Sequence, residues 1–278
     1  MKGGKFTVNQ LMNLFNIFTK GQNYKTMPFN IEILDKHNYY LYNNRFHAYV
    51  LFNSPPKVIN KEFLHSEKFK KDMKSVRIVV IHRGTIQVSG FRTKTRRFDT
   101  VSRVFGSLKD WTNNLRNVTT FKHDKTPKTY RQEKAKLGHE ALTNYLLKLK
   151  NDNIESILSS KSYMKLLLFY CLKKKSVSSF LKERLSTLGA SQGAVYAYLY
   201  GDEGKETIVY NPAPFHGKKP KNTFILRTKN DIVSYFVKNE GLPITIKNGK
   251  KWYNVAENHN NDVLLNDDEK IGHGIFTE

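Results

Sequence analysis

A single cysteine, Cys171, stands in 278 residues. That count excludes an intramolecular disulfide and any zinc site built on cysteine pairs. Its neighbours Leu166, Leu167, Leu168, Phe169, Tyr170 and Leu172 mark it as a buried thiol rather than a nucleophile. Acidic residues are scarce, 24 Asp+Glu against 47 Lys+Arg, and the net charge of +23 excludes an acidic solvating chain. Nowhere does the sequence approach the roughly 18 consecutive apolar residues of a transmembrane helix. Between Phe6 and Phe18, Asn and Thr interrupt the apolar positions before a continuous signal-peptide run forms. The expectation is a soluble product made without a cleaved secretory signal, intracellular, peripheral at a membrane or virion-associated. Internal repeats and low-complexity linkers are missing as well.

What is present is 39% hydrophobic and 13% aromatic residues, enough apolar material for a real core. Charge alone points to nucleic acid, because clustered Lys and Arg release counterions from phosphates. Aromatics interleaved with cations, as in Tyr24-Lys25 and Arg45-Phe46-His47, suit base stacking. Against that rival, the sequence carries no RNP pattern, zinc finger, basic zipper or helix-turn-helix signature.

Along the chain, Leu11, Leu14, Phe15 and Phe18 fall at helical spacing and predict a short N-terminal helix. Residues 39–42 and 46–52 read as a β-hairpin split by Asn43-Asn44. A Lys-rich helical stretch over 61–74 precedes Val76-Arg77-Ile78-Val79-Val80-Ile81, whose β-branched run fits a central buried strand. Beyond Lys134, the residues Leu137, Ala141, Tyr145, Leu146 and Leu149 share one helical face, and 154–172 reads as a second long helix. A short strand, a turn, a helix and the strand Thr207-Ile208-Val209-Tyr210 follow, then the strand Phe224-Ile225-Leu226-Arg227. Strands alternating with helices predict an α/β fold with a mostly parallel sheet. The simplest division is an N-terminal helix and hairpin over 1–56 packed on a catalytic-size domain over 57–278.

The chemistry centres on Gly189-Ala190-Ser191-Gln192-Gly193, placed between Leu185-Ser186-Thr187-Leu188 and the helix-competent Ala194-Val195-Tyr196-Ala197-Tyr198-Leu199. A nucleophile elbow needs small residues two positions either side of its serine, since the strand-to-helix turn is too tight for larger side chains. Upstream, Val79-Val80-Ile81-His82-Arg83-Gly84-Thr85 supplies a loop after a buried strand, the place from which donors can meet a developing oxyanion.

Four motifs in order, Ile81-His82-Arg83-Gly84-Thr85, Asp110-Trp111-Thr112-Asn113-Asn114-Leu115, Gly189-Ala190-Ser191-Gln192-Gly193 and Tyr210-Asn211-Pro212-Ala213, resemble the class 3 (fungal-type) lipase family. The resemblance spans about 76–273 and implies an α/β-hydrolase fold with lipase-like cleavage of carboxylic esters. His82 stands where the family has Phe, and Ala190 and Gln192 replace the His and Leu of its elbow. The glycines and serine that geometry demands are kept. By this resemblance Ser191 is the nucleophile, Thr85 and the backbone N–H of Gln192 hold the oxyanion, and no metal or organic cofactor is implied.

Such a serine needs a histidine and a carboxylate, in the chain order Ser, Asp, His. Asp231 follows a predicted strand in an Asn-Asp-x-Val context similar to the family's acid. Asp202 sits at the wrong end of the elbow helix and reads as a turn residue. His273, flanked by Gly272 and Gly274, is the base that suits the family, and His259, among Asn258, Asn260 and Asn261, is the alternative. His216 precedes the acid and breaks the order. His82 reads as a structural neighbour of the oxyanion loop. The family places a lid over 86–109, where Arg92, Lys94, Arg96, Arg97, Arg103 and Lys109 alternate with apolar residues. That composition reads as a lid seeking an anionic bilayer or as a plain solvated basic loop. The expected partner is a lipid or phospholipid acyl ester. Two rivals stand beside it, a hydrolase fold without activity serving as a structural or virion protein, and the basic nucleic-acid binder.

Overall fold

A computed structural model describes residues 30–33, 46–82, 84, 130–228 and 243–246. Among the described residues seven strands form one sheet in chain order: β1 (Asn30–Ile33), β2 (Phe46–Phe52), β3 (Arg77–His82), β4 (Leu185–Ala190), β5 (Glu206–Tyr210), β6 (Thr223–Thr228) and β7 (Pro243–Ile246). β1 pairs antiparallel with β2, and β2 antiparallel with β3. From β3 to β7 every neighbouring pair is parallel. The molecule is therefore an α/β fold built on a mostly parallel sheet with an antiparallel edge.

The helices among the described residues are α1 (Lys61–His65), α2 (Glu67–Ser75), α3 (Tyr130–Asn151), α4 (Ile154–Ser159), α5 (Tyr163–Lys173), α6 (Val177–Arg184) and α7 (Gly193–Tyr200). Side-chain caps set several of their starts. Asn60 accepts from the N–H of Phe63, Ser66 from Phe69, Asn153 from Glu155, Ser162 from Lys165 and Ser176 from Ser179. Ala48, Val50 and Phe52 of β2 and Ile78 and Val80 of β3 share a core with Leu142, Leu146, Leu167, Leu168 and Phe180 from α3, α5 and α6. On the opposite sheet face Tyr49, Leu51, Val79, Ile81, Leu188 and Ile208 are equally buried. Burial on both faces is why β3 and β4 lack polar alternation and why all six residues of each are buried.

Three features differ from or add to the expectation. β2 pairs with β1, Asn30 opposite Phe52 and Ile33 opposite Tyr49, where no strand was expected. Residues 39–42 and the N-terminal helix around Leu11 to Phe18 lie outside the described residues. Next, the single helix expected over 154–172 is two, α4 and α5. Lys161 turns the chain between them at φ 52, and the Ser162 cap starts the second. Third, α3 buries Gln132, Ala135, His139, Leu142, Leu146 and Leu149, while Leu137 of the expected face is 37% exposed. The buried stripe still runs at helical spacing, but it is rotated and includes two polar residues.

The register sets where a site can form. His82 lies opposite Gly189, Ala190 opposite Tyr210, and Tyr210 opposite Leu226. The carboxyl ends of β3, β4, β5 and β6 thus share one edge, the usual ligand edge of open α/β sheets.

Candidate active site

Ser191 occupies the turn between the last residue of β4 and the first turn of α7. It is one of three described non-glycine residues with positive φ, at 51°. The left-handed region costs an L residue about 1–2 kcal/mol. Such strain persists only where the surroundings over-determine it. Here the Ser191 N–H donates to the Tyr210 carbonyl at 3.0 Å, and the Ser191 carbonyl accepts from Ala213 N–H at 3.0 Å and Ala194 N–H at 3.1 Å. The turn is stapled to β5, to the loop after β5 and to its own helix.

Close packing explains the glycines. A Cβ on Gly189 would lie 2.5 Å from the Gly193 carbonyl oxygen and 2.7 Å from Ala194 Cα. Only glycine lets α7 cross β4 this closely. A Cβ on Gly84 would lie 3.0 Å from the Ala190 carbonyl oxygen and 3.2 Å from Ser191 Cβ. The loop that leaves β3 therefore runs against the serine turn. Asn211, buried and at φ 40, donates its N–H to the Leu226 carbonyl at 2.9 Å, fixing the Tyr210-Asn211-Pro212-Ala213 segment beneath the turn. Three of the four quoted motifs converge at one strand edge.

Gln192 is 1% exposed, and its amide Nε2 lies 3.3 Å from the Tyr196 hydroxyl one helical turn on. Its side chain is directed along α7, while its backbone N–H finds no acceptor among the described residues. An unoccupied N–H at a helix N-terminus, directly after a half-buried serine, suits an anionic oxygen. Thr85, Asp231, His259 and His273 lie outside the described residues, as do 86–109 and Asp110 to Leu115. β6 ends at Thr228, shortly before Asp231, and β7 precedes both histidines in the chain. Asp202 sits in the 3-10 turn Gly201–Glu203 at the far end of α7, and His216 is exposed. Cys171 hydrogen-bonds the Met73 carbonyl, and burial pushes its thiol up to about 11, which leaves it protonated at neutral pH.

The sequence reading missed His139. Its Nε2 lies 3.2 Å from Nε2 of His82, so one ring donates and the other accepts, and the two atoms share one proton. The His139 ring stacks on Tyr200 at 4.4 Å between centroids, and its Nδ1 lies 3.7 Å from a Glu203 carboxylate oxygen. His82 immediately precedes the Arg83-Gly84 loop, so the pair ties the root of that loop to α3 and α7. A polar residue in the buried stripe of α3 was the signal available in the sequence.

No family model, curated protein or solved structure matches the chain. Among the described residues no helix is long and apolar enough to cross a membrane.

Proposed function

We propose that the chain is a serine-dependent carboxylic ester hydrolase of α/β-hydrolase type, acting on lipid or phospholipid acyl esters. One observation carries this reading. Ser191 is held at φ 51 between a buried strand and a helix, with an unoccupied N–H beside it and the Gly84 loop packed against it. A strained, half-buried serine at a strand-to-helix turn suits attack on a carbonyl.

In this proposal Ser191 Oγ attacks the ester carbonyl carbon while His273, or His259 as the alternative base, takes its proton. Asp231 orients and charge-balances the imidazole. The carbonyl oxygen becomes an oxyanion that accepts from Gln192 N–H and Thr85, each such donor being worth about 10²–10³ in turnover. Collapse expels the alcohol, which receives the proton from the imidazole. Water then repeats the sequence on the acyl-enzyme and releases the acid. The net charge of +23 favours an anionic lipid surface over a neutral one.

A fluorophosphonate probe tests the nucleophile. Ser191 Oγ would displace fluoride at phosphorus and leave a covalent adduct. Wild type is expected to label strongly and Ser191→Ala only at background; equal labelling of the two would sink the assignment.

A further inference from the structure

A second feature lies at the other end of the sheet. Phe52 ends β2 next to Leu51, which pairs with Arg77 at the amino end of β3, whereas Ser191 follows the carboxyl end of β4. Beside Phe52 a groove of about 1220 Å³ runs between the 55–61 segment, α4 and the start of α5. Its floor is apolar: Phe52, Ile157, Tyr163 and Leu166 are all buried. The Tyr163 hydroxyl donates to Asp72 at 2.6 Å, and Asn53 donates to the other Asp72 oxygen at 2.8 Å. That carboxylate is thus occupied, and the groove meets the tyrosine ring.

Three exposed lysines, Lys57, Lys61 and Lys161, line the same groove, and among the described residues no Asp or Glu does. Among the described residues none of the three lysine side chains has an ion-pair or hydrogen-bond partner. Lys161 adds an independent sign. Its φ of 52 is a position where glycine or asparagine is the ordinary choice, and its N–H is pinned to the Leu158 carbonyl at 3.1 Å. A strained residue whose side chain does not explain the turn invites a role for that side chain.

We infer that this groove binds a single-chain anionic amphiphile, its alkyl chain against the partly exposed Ile59, Leu64 and Leu158 above that buried floor and its carboxylate among the three lysines. The volume exceeds the about 300–1,000 Å³ of ordinary ligand sites, leaving room for a flexible chain. Charge complementarity selects an anion, and a groove with an apolar floor suits a single alkyl chain. Nucleic acid is disfavoured because both aromatic rings are buried and offer no open face for stacking. The inference is separate from the proposed esterase reading and does not need Ser191 to be a nucleophile.

The test is calorimetric titration of full-length Ser191→Ala protein with dodecanoate below its micelle concentration, with dodecanol as the uncharged comparator. Saturable one-to-one binding is expected, with the carboxylate about tenfold tighter at low salt and the gap closing as salt rises. The triple variant Lys57→Gln, Lys61→Gln, Lys161→Asn, all at exposed positions, should lose about tenfold for dodecanoate and little for dodecanol. Absent saturable binding, or affinity unchanged in the triple variant, would overturn the inference, the latter by placing the ligand elsewhere. Binding to anionic phosphatidylglycerol vesicles without binding to monomeric dodecanoate would overturn it too, in favour of a membrane-docking face. Fluorophosphonate labelling of the triple variant with Ser191 intact should equal wild type, so failure here and failure of the esterase reading remain distinguishable.

Discussion

The backbone at Ser191 makes a sign prediction. Ser191→Ala and Ser191→Gly both remove the hydroxyl and whatever it touches, so their difference isolates the Cβ at φ 51. In an ordinary helix or strand glycine is less stable than alanine by about 0.5–1 kcal/mol. In the left-handed region the alanine Cβ instead costs about 1–2 kcal/mol. Against this, glycine's extra freedom in the unfolded chain takes back about 0.4–1 kcal/mol. The net expectation is that Ser191→Gly exceeds Ser191→Ala by about 0.5–1 kcal/mol, a reversal of the usual order. For a chain of this length that is roughly 1–3 °C in melting temperature. Urea unfolding followed by far-UV circular dichroism reads the difference, provided both variants share one m-value. Alanine as stable as glycine, or more stable, would mean that Ser191 is not held left-handed, and the elbow geometry would fall with it.

Two further outcomes follow from other positions. Gly189→Ala places a methyl against backbone atoms of α7 that cannot swing aside, and should destabilise by about 3 kcal/mol or more in the same urea assay, the upper end for overpacking; a loss under 1 kcal/mol would contradict the close crossing of β4 and α7. At alkaline pH the Cys171 thiol ionises near its ordinary 9.0 in the unfolded chain but only at about 11 when folded. Its raised value contributes stability that is complete below pH 9 and disappears as pH climbs through 11, worth on the order of 2–3 kcal/mol. Cys171→Ala should therefore show a smaller fall in stability between pH 9 and 11 than wild type, and identical pH profiles would refute the burial argument.

Much of this fold was legible because its strands are buried on both faces. The runs Val76 to Ile81, Thr207 to Tyr210 and Phe224 to Arg227 announce themselves by composition alone, and β3, β5 and β6 form there. The serine turn was legible for a local reason, since Gly189 answers to contacts with Gly193 and Ala194, within five residues of chain. Helix α3 was harder. Its apolar residues define two overlapping faces, and only the sheet decides that His139 goes in and Leu137 stays out. The break between α4 and α5 was signalled by Ser159-Ser160-Lys161-Ser162, a cluster of capping residues that the surrounding apolar run masked. Sequence spacing could not pair β2 with β1, because Asn30–Ile33 is a four-residue strand with no turn signal that ties it to β2. Asp231, His259 and His273 depend on loops with no period to read, and they lie outside the described residues.

The parallel pairing of β3 with β4 also has a consequence in time. Ile78 waits for Leu185, roughly a hundred residues later. At about 5–20 residues per second on the ribosome, β3 exists for some 5–20 s before its partner has been made. β2 precedes it and covers one edge through antiparallel pairing. The other edge, six consecutive residues that are all buried in the finished molecule, has nothing to pair with in that interval. The strand that carries the Gly84 loop is then open to the wrong neighbour along that edge. The Gly84 loop cannot meet the Ser191 turn until that wait is over.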